Sequence, residues 1–177
     1  MKRIILLVLF VTTTLYANAQ LKIGDVLVCT RNEVNVRTGP GNNYPIGEED
    51  HDSKANPLND SDISKIIKKY DIKTEDMYYY KLKKATQTDN YCQLNKPEIM
   101  NNGDDHVTIY YLGKTQNGYL YISVIRWDFF GWGSVYKGWA PAQYLKVACK
   151  KCDGFGVIYS DDSYSSKQCP QCHGRGY

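Results

Sequence analysis

Long hydrophobic runs, an excess of charge of one sign and the common signatures of catalysis are all scarce in this 177-residue chain. The longest apolar run covers only residues 4–11, whereas a membrane-spanning helix needs about 20 residues. The 22 basic and 19 acidic residues nearly balance, which argues against a general nucleic-acid-binding protein. The sequence contains no G-x-S-x-G, phosphate-loop or H-E-x-x-H motif. We therefore expect a soluble protein without a transmembrane segment and without catalytic activity.

The amino terminus has the pattern of a secretory signal peptide. Lys2 and Arg3 precede the apolar run, and Ala17-x-Ala19 follows it as a small-residue cleavage site. This pattern predicts cleavage before Gln20 and a mature protein that is periplasmic or extracellular. No cysteine lies near the cleavage point to carry a lipid.

The remaining chain has mostly β patterning. Valines around residues 26–36 indicate two short strands before a Gly/Pro-rich turn, and residues 107–125 predict a hairpin around Asn117-Gly118. Residues 48–105 are polar at their start and rich in breakers, so we expect little core from them. Within this stretch, apolar residues at helical spacing predict one short amphipathic helix over residues 63–70.

Two segments resemble bacterial SH3-like (SH3b) domains. The first reads Val34-Asn-Val-Arg-Thr-Gly-Pro-Gly-Asn-Asn-Tyr-Pro45, and the second reads Gly138-Trp-Ala-Pro-Ala-Gln-Tyr-Leu145. The resemblance implies a small β-barrel over residues 20–147, interrupted by an insertion at about 48–105. It also implies a non-catalytic module that recognises a peptide or cell-wall peptidoglycan. We expect Trp139 in the barrel core and partly exposed aromatic side chains at the ligand site, with Tyr44, Tyr119 and Trp132 as candidates.

The carboxyl-terminal segment, residues 148–177, carries a repeated C-x-x-C-x-G-x-G unit. The cysteines fall at the spacing of a four-thiolate zinc site, with sixteen residues between the two pairs: Cys149, Cys152, Cys169 and Cys172. The repeat resembles half of the cysteine-rich zinc-binding region of DnaJ-type chaperones, and half of that region implies one ion. Because four thiolates leave no open position for water, we expect a structural Zn²⁺.

Other interpretations of the cysteines stay open at this point. Cys169-x-x-Cys172-His173 also fits covalent haem attachment, and each C-x-x-C could form a disulfide or act as a redox pair. Cys29 and Cys92 either form a disulfide or are buried separately. A catalytic role for Cys92 lacks a suitable sequence context.

The sequence thus predicts a mainly β protein: an SH3-like β-barrel with a partly helical insertion, followed by a zinc knuckle. The predicted function is that of an exported binding protein. The alternative is a chaperone-like protein that holds unfolded exported clients, and a thiol redox protein is a more distant third.

Overall fold

A computed structural model describes residues 20–50, 61–70, 77–79, 81–84, 92–96, 106–127, 133–159 and 165–177. The predicted signal peptide and Trp132 lie outside these ranges. None of the helices in the described ranges is long and apolar enough to cross a membrane.

The fold is mainly β, as predicted, and its centre is a six-stranded sheet. The strand order is β10-β1-β7-β8-β9-β4, where the strands are β1 (Val26–Cys29), β4 (Met77–Tyr79), β7 (His106–Gln116), β8 (Tyr119–Trp127), β9 (Gly133–Pro141) and β10 (Leu145–Val147). Neighbouring strands are antiparallel except for β4, which runs parallel to β9. A single 3-10 turn at Ala142–Tyr144 leads into β10.

The hairpin predicted around residues 107–125 is confirmed by β7 and β8. Asn117 and Gly118 join the two strands with φ of 50° and 76°. Positive φ at both central residues is the requirement of a type I′ turn, whose twist matches that of the paired strands. A register shift between Tyr111 and Thr115 interrupts the pairing near this turn.

Three two-stranded sheets complete the β structure. The first pairs β2 (Val34–Asn35) with β6 (Gln93–Leu94), and the second pairs β3 (Gly47–Asp50) with β5 (Lys81–Lys84). In the carboxyl-terminal segment, β11 (Val157–Tyr159) pairs with β12 (Ser166–Gln168).

Two apolar cores lie on opposite faces of the central sheet, because successive side chains of a strand alternate between its faces. On β8, Leu120, Ile122 and Val124 belong to what we call the inner core. Ile125 belongs to the outer core on the other face, together with Tyr110, Leu112 and Val135, and with Ile66 and Ile67 of the helix.

Helix α1 (Ser61–Tyr70), the one α-helix of the described residues, confirms the predicted amphipathic helix and covers the outer core. Ile66 is 1% exposed and Ile67 is 9% exposed. The same stretch of chain sends Cys92 and Leu94 into the inner core. The expectation that residues 48–105 contribute little core is therefore wrong, since they supply buried residues to both faces of the sheet.

The prediction that Trp139 belongs to the barrel core is also wrong. Strand alternation directs Tyr136 and Ala140 of β9 into the inner core and places Trp139 on the opposite face, where it is half-buried. Its indole lies against Tyr121, with ring centroids 5.1 Å apart.

Candidate metal centre

Two knuckles with the same backbone conformation form the carboxyl-terminal segment. The first covers residues 149–156 and the second covers residues 169–176. Three pairs of equivalent positions show this: each knuckle has a non-glycine residue at positive φ, at Asp153 (46°) and His173 (51°), and then two glycines at positive φ. Because positive φ costs little only for glycine, the G-x-G of each repeat is a conformational requirement of the knuckle.

The two knuckles bring four sulfur atoms together. The Sγ atoms of Cys149 and Cys169 are 3.9 Å apart, and those of Cys152 and Cys172 are 3.6 Å apart. All four ligand atoms lie within 4.8 Å of one another, and all four side chains are buried. Four sulfurs at about 2.3 Å from one tetrahedral ion would be about 3.8 Å apart. The arrangement can therefore hold a metal ion, at the residues predicted from the spacing.

Backbone amides support the second sulfur of each knuckle. The Gly156 N–H donates to Sγ of Cys152, and the Gly176 N–H donates to Sγ of Cys172, both at 3.3 Å. Amide donors to a thiolate stabilise its negative charge and fix the orientation of the ligand. The final glycine of each repeat thus provides the donor that its own knuckle requires.

Reciprocal hydrogen bonds join the two knuckles to each other. The Cys149 N–H donates to the Gly176 carbonyl at 2.7 Å, and the Cys169 N–H donates to the Gly156 carbonyl at 2.8 Å. The backbones approach so closely that a Cβ at Gly156 would collide with the carbonyl of Gly174. A Cβ at Gly176 would likewise collide with the carbonyl of Gly154. The glycines therefore permit a contact between knuckles as well as a turn within each one.

The pKa values of Cys152 and Cys169 are shifted in opposite directions. Burial raises the pKa of Cys152 to about 12, against the opposing effect of the Gly156 amide. Burial also opposes ionisation of Cys169, but the Cys172 and Gln171 amides and neighbouring thiols donate to its sulfur and lower its pKa to about 7. A metal cation must therefore displace at least the proton of Cys152 when it binds.

The first knuckle packs directly on the central sheet. The Ala148 N–H donates to the Val26 carbonyl at 2.8 Å, and Gly154 lies so close to Val28 that a Cβ there would meet the valine methyl group. Val28 is only 6% exposed. The second knuckle has Gln168 at the position equivalent to Ala148. The side-chain Nε2 of Gln168 donates to the His173 carbonyl at 3.0 Å.

The histidine of the haem-like C-x-x-C-H sequence occupies a turn position. His173 has φ of 51° and an exposed side chain, and its equivalent in the first knuckle is Asp153. Its place in the sequence is thus explained by the conformation that both knuckles share.

The candidate ligand-binding aromatics differ in their surroundings. Tyr44 is 39% exposed, and its ring lies directly over Gly39. Tyr119 is only 7% exposed, and its hydroxyl donates to Oδ1 of Asn42 at 2.6 Å. This bond ties the start of β8 to the loop that carries Tyr44. Trp132 lies outside the described residues. Ligand contact by Tyr44, Tyr119 and Trp132 remains a prediction.

The two other cysteines lie in the inner core. All six cysteines are among the described residues, and none of them forms a disulfide. The Cys29 thiol donates to the Arg31 carbonyl at 3.0 Å, and burial raises its pKa. Of the two interpretations, separate burial of Cys29 and Cys92 is the one that the structure displays.

Comparison of the chain with models of known protein families, with curated proteins and with solved structures finds no match. The case for a function therefore depends on the geometry of this chain.

Proposed function

We propose that this protein is an exported, non-catalytic binding protein, in which an SH3-like module is followed by a structural zinc site. The convergence of four buried cysteines on one metal-sized position is the observation that supports this proposal most directly. A site made of four protein ligands leaves no position for a substrate or an activated water, which is typical of structural zinc.

Zinc is the ion that fits this donor set best. A tetrahedral set of four sulfurs suits Zn²⁺ or iron, and zinc alone has no redox chemistry that an oxidising compartment would disturb. The segment after β10 contains few apolar side chains, so it needs a cross-link to offset the entropy of ordering its backbone. Zinc binding to such a site contributes on the order of 10 kcal/mol near neutral pH, and that energy is available for folding.

Metal analysis of the purified full chain, combined with thiol counting, tests the site. We expect one zinc per chain and four thiols that become reactive after chelation. Cys172→Ser should abolish the metal, whereas Cys29→Ala, which removes a buried thiol outside the cluster, should retain it. A protein without metal that contains disulfides within the cluster would contradict the proposal, and bound iron would contradict its choice of ion.

The export and binding parts of the proposal need their own tests. Amino-terminal sequencing of the secreted protein should begin at Gln20, and a sequence that begins at Met1 would refute the signal peptide. The module should bind a defined peptide or peptidoglycan fragment saturably. Suppression of aggregation of unrelated unfolded proteins, without such binding, would favour the chaperone-like alternative instead.

A further inference from the structure

The outer face of the central sheet carries a group of aromatic and polar side chains next to the outer core. Two neighbouring cross-strand pairs of β8 and β9 form it: Tyr121 opposite Trp139, and Ser123 opposite Lys137. Strand alternation directs all four side chains to the face that also bears Ile125 and Val135. We call this group the aromatic–basic face.

The two rings form its apolar part. Their centroids are 5.1 Å apart and their planes are inclined at 40°. Both Tyr121 and Trp139 are half-buried, so each keeps part of its ring accessible to solvent. The Lys114 ammonium lies over the Tyr121 ring, 5.0 Å from its centroid, in a cation–π arrangement.

Arg37 borders the face on the far side of Trp139. The backbones of Arg37 and Trp139 exchange two hydrogen bonds, at 2.8 and 2.9 Å, which makes them directly opposed residues. The Arg37 guanidinium donates to the carbonyls of Asn42 and Tyr44 at 3.3 and 2.7 Å. The Arg37 side chain thus holds the loop that follows it beside the strand that carries Trp139.

The cross-strand pair of Ser123 and Lys137 places polar groups in a buried or half-buried position on this face. Ser123 is 1% exposed, and its hydroxyl has no hydrogen-bond partner among the described residues. Burying a hydroxyl without a partner is costly, so the strand keeps a polar residue here at the expense of stability. Burial also lowers the pKa of Lys137.

The surrounding chain carries charge of one sign. Described residues 106–127 and 133–152 contain no Asp or Glu, but they contain six Lys or Arg: Lys114, Arg126, Lys137, Lys146, Lys150 and Lys151. The loop of residues 38–46, which borders Trp139, also has no acidic residue. Of these six, Lys114 and Lys137 lie with the half-buried aromatic pair on the same face.

We propose that the aromatic–basic face binds an acidic peptide, whose apolar side chain packs between Tyr121 and Trp139 and whose carboxylates pair with Lys114 and Lys137. Because the two rings are inclined at 40° rather than coplanar, they suit one packed side chain better than a sugar or a nucleobase, which stack best on a flat ring surface. This inference rests on the proposed function as a binding module.

The test is a titration of the full chain with a synthetic probe. The probe is an acetylated and amidated six-residue peptide in which glutamates flank a central Pro-Phe pair on both sides, and its control has glutamine at each glutamate. NMR of the Trp139 indole and the Lys137 amide reports binding at the face itself. We expect saturable binding with Kd below about 1 mM, weakened by salt, and no saturation with the glutamine peptide.

Variants separate the face from general charge. Trp139→Ala should weaken binding about tenfold, and Lys114→Gln or Lys137→Gln about three- to tenfold each. Lys146→Gln removes the same charge on β10, which three other strands separate from β9, and should change Kd less than about twofold. The lysine variants keep the test valid if Trp139→Ala does not fold.

Several results would overturn the inference. Absence of saturation by the acidic peptide, or equal weakening by Lys146→Gln, would show that the face is not a specific site. Tighter binding of an oligouronate or a short DNA strand than of the peptide would assign another class of ligand. If the face fails while a neutral peptide or peptidoglycan fragment binds elsewhere, only this inference fails. Metal content reports separately on the rest of the proposed function.

Discussion

The contact between the two knuckles gives the sharpest prediction about the metal centre, through the substitution Gly176→Ala. Gly176 has φ of 81°, and its missing Cβ leaves room for the carbonyl of Gly154. Gly118 provides a matched control, since its φ is 76° but a Cβ there would meet nothing within 4 Å. The two alanine variants thus share the backbone strain and differ in the collision.

The magnitude follows from this difference. An L-residue in the left-handed region costs about 1–2 kcal/mol, and both variants incur that cost. Only Gly176→Ala also forces a backbone carbonyl aside, and overpacking of this kind costs about 1–3 kcal/mol more. Both costs of Gly176→Ala arise within the metal segment, whereas Gly118 lies in the hairpin, so Gly176→Ala should weaken zinc affinity by more than the roughly 5- to 30-fold that strain alone would give. A loss within that range would mean that the collision is absent.

Competition with a chromogenic chelator measures this affinity, and proteolysis of the segment after β10 measures its order. Gly118→Ala should bind zinc like the unchanged protein while it lowers the free energy of unfolding of the hairpin. Equal zinc affinity in the two variants would refute the close approach of the knuckles and the role of the final glycines.

Three other predictions follow from individual contacts. Trp139→Ala should lower the free energy of unfolding by about 1–3 kcal/mol, less than the roughly 3–5 kcal/mol expected for a fully buried ring. A larger decrease, measured by chemical denaturation, would indicate that the ring is part of a core. Tyr119→Phe should cost about 1 kcal/mol through the lost bond to Asn42, and a double-mutant cycle with Asn42→Ala should show coupling; additive effects would contradict the bond. Zinc affinity should rise with pH because zinc displaces the Cys152 proton, and it should fall more steeply below about pH 7, where Cys169 is also protonated. Calorimetry that finds no change in affinity between pH 6 and 8 would contradict this order of ionisation.

Local patterns predicted the elements that depend on local rules. The helix from Ser61 to Tyr70 and the hairpin at Asn117-Gly118 follow from apolar spacing and turn chemistry, which neighbouring residues largely determine. The cysteine cluster was predictable because the C-x-x-C turn itself brings two sulfurs together. Whether an SH3-like arrangement describes the sheet remains a prediction.

Features that depend on long-range packing were not predictable. Trp139 was expected in the core because it is large and apolar, but strand register assigns it to the other face. Cys92 and Leu94 lie in a polar stretch, and only pairing of β6 with β2 brings them into the inner core. The contact between the knuckles was not predictable either, since nothing in the local sequence indicates that the last glycine of one repeat meets the first glycine of the other.

The packing of Gly154 on Val28 makes the two knuckles unequal partners. The two knuckles have nearly the same backbone, but only the first packs on β1. The second knuckle is joined to the first through the sulfur cluster, the reciprocal amide hydrogen bonds and the pairing of β11 with β12. If the site holds a metal ion, its removal should therefore unfold the second knuckle first, while the first knuckle stays packed on Val28. A metal ion held by the four cysteines would therefore fix the second knuckle to the sheet through the first knuckle.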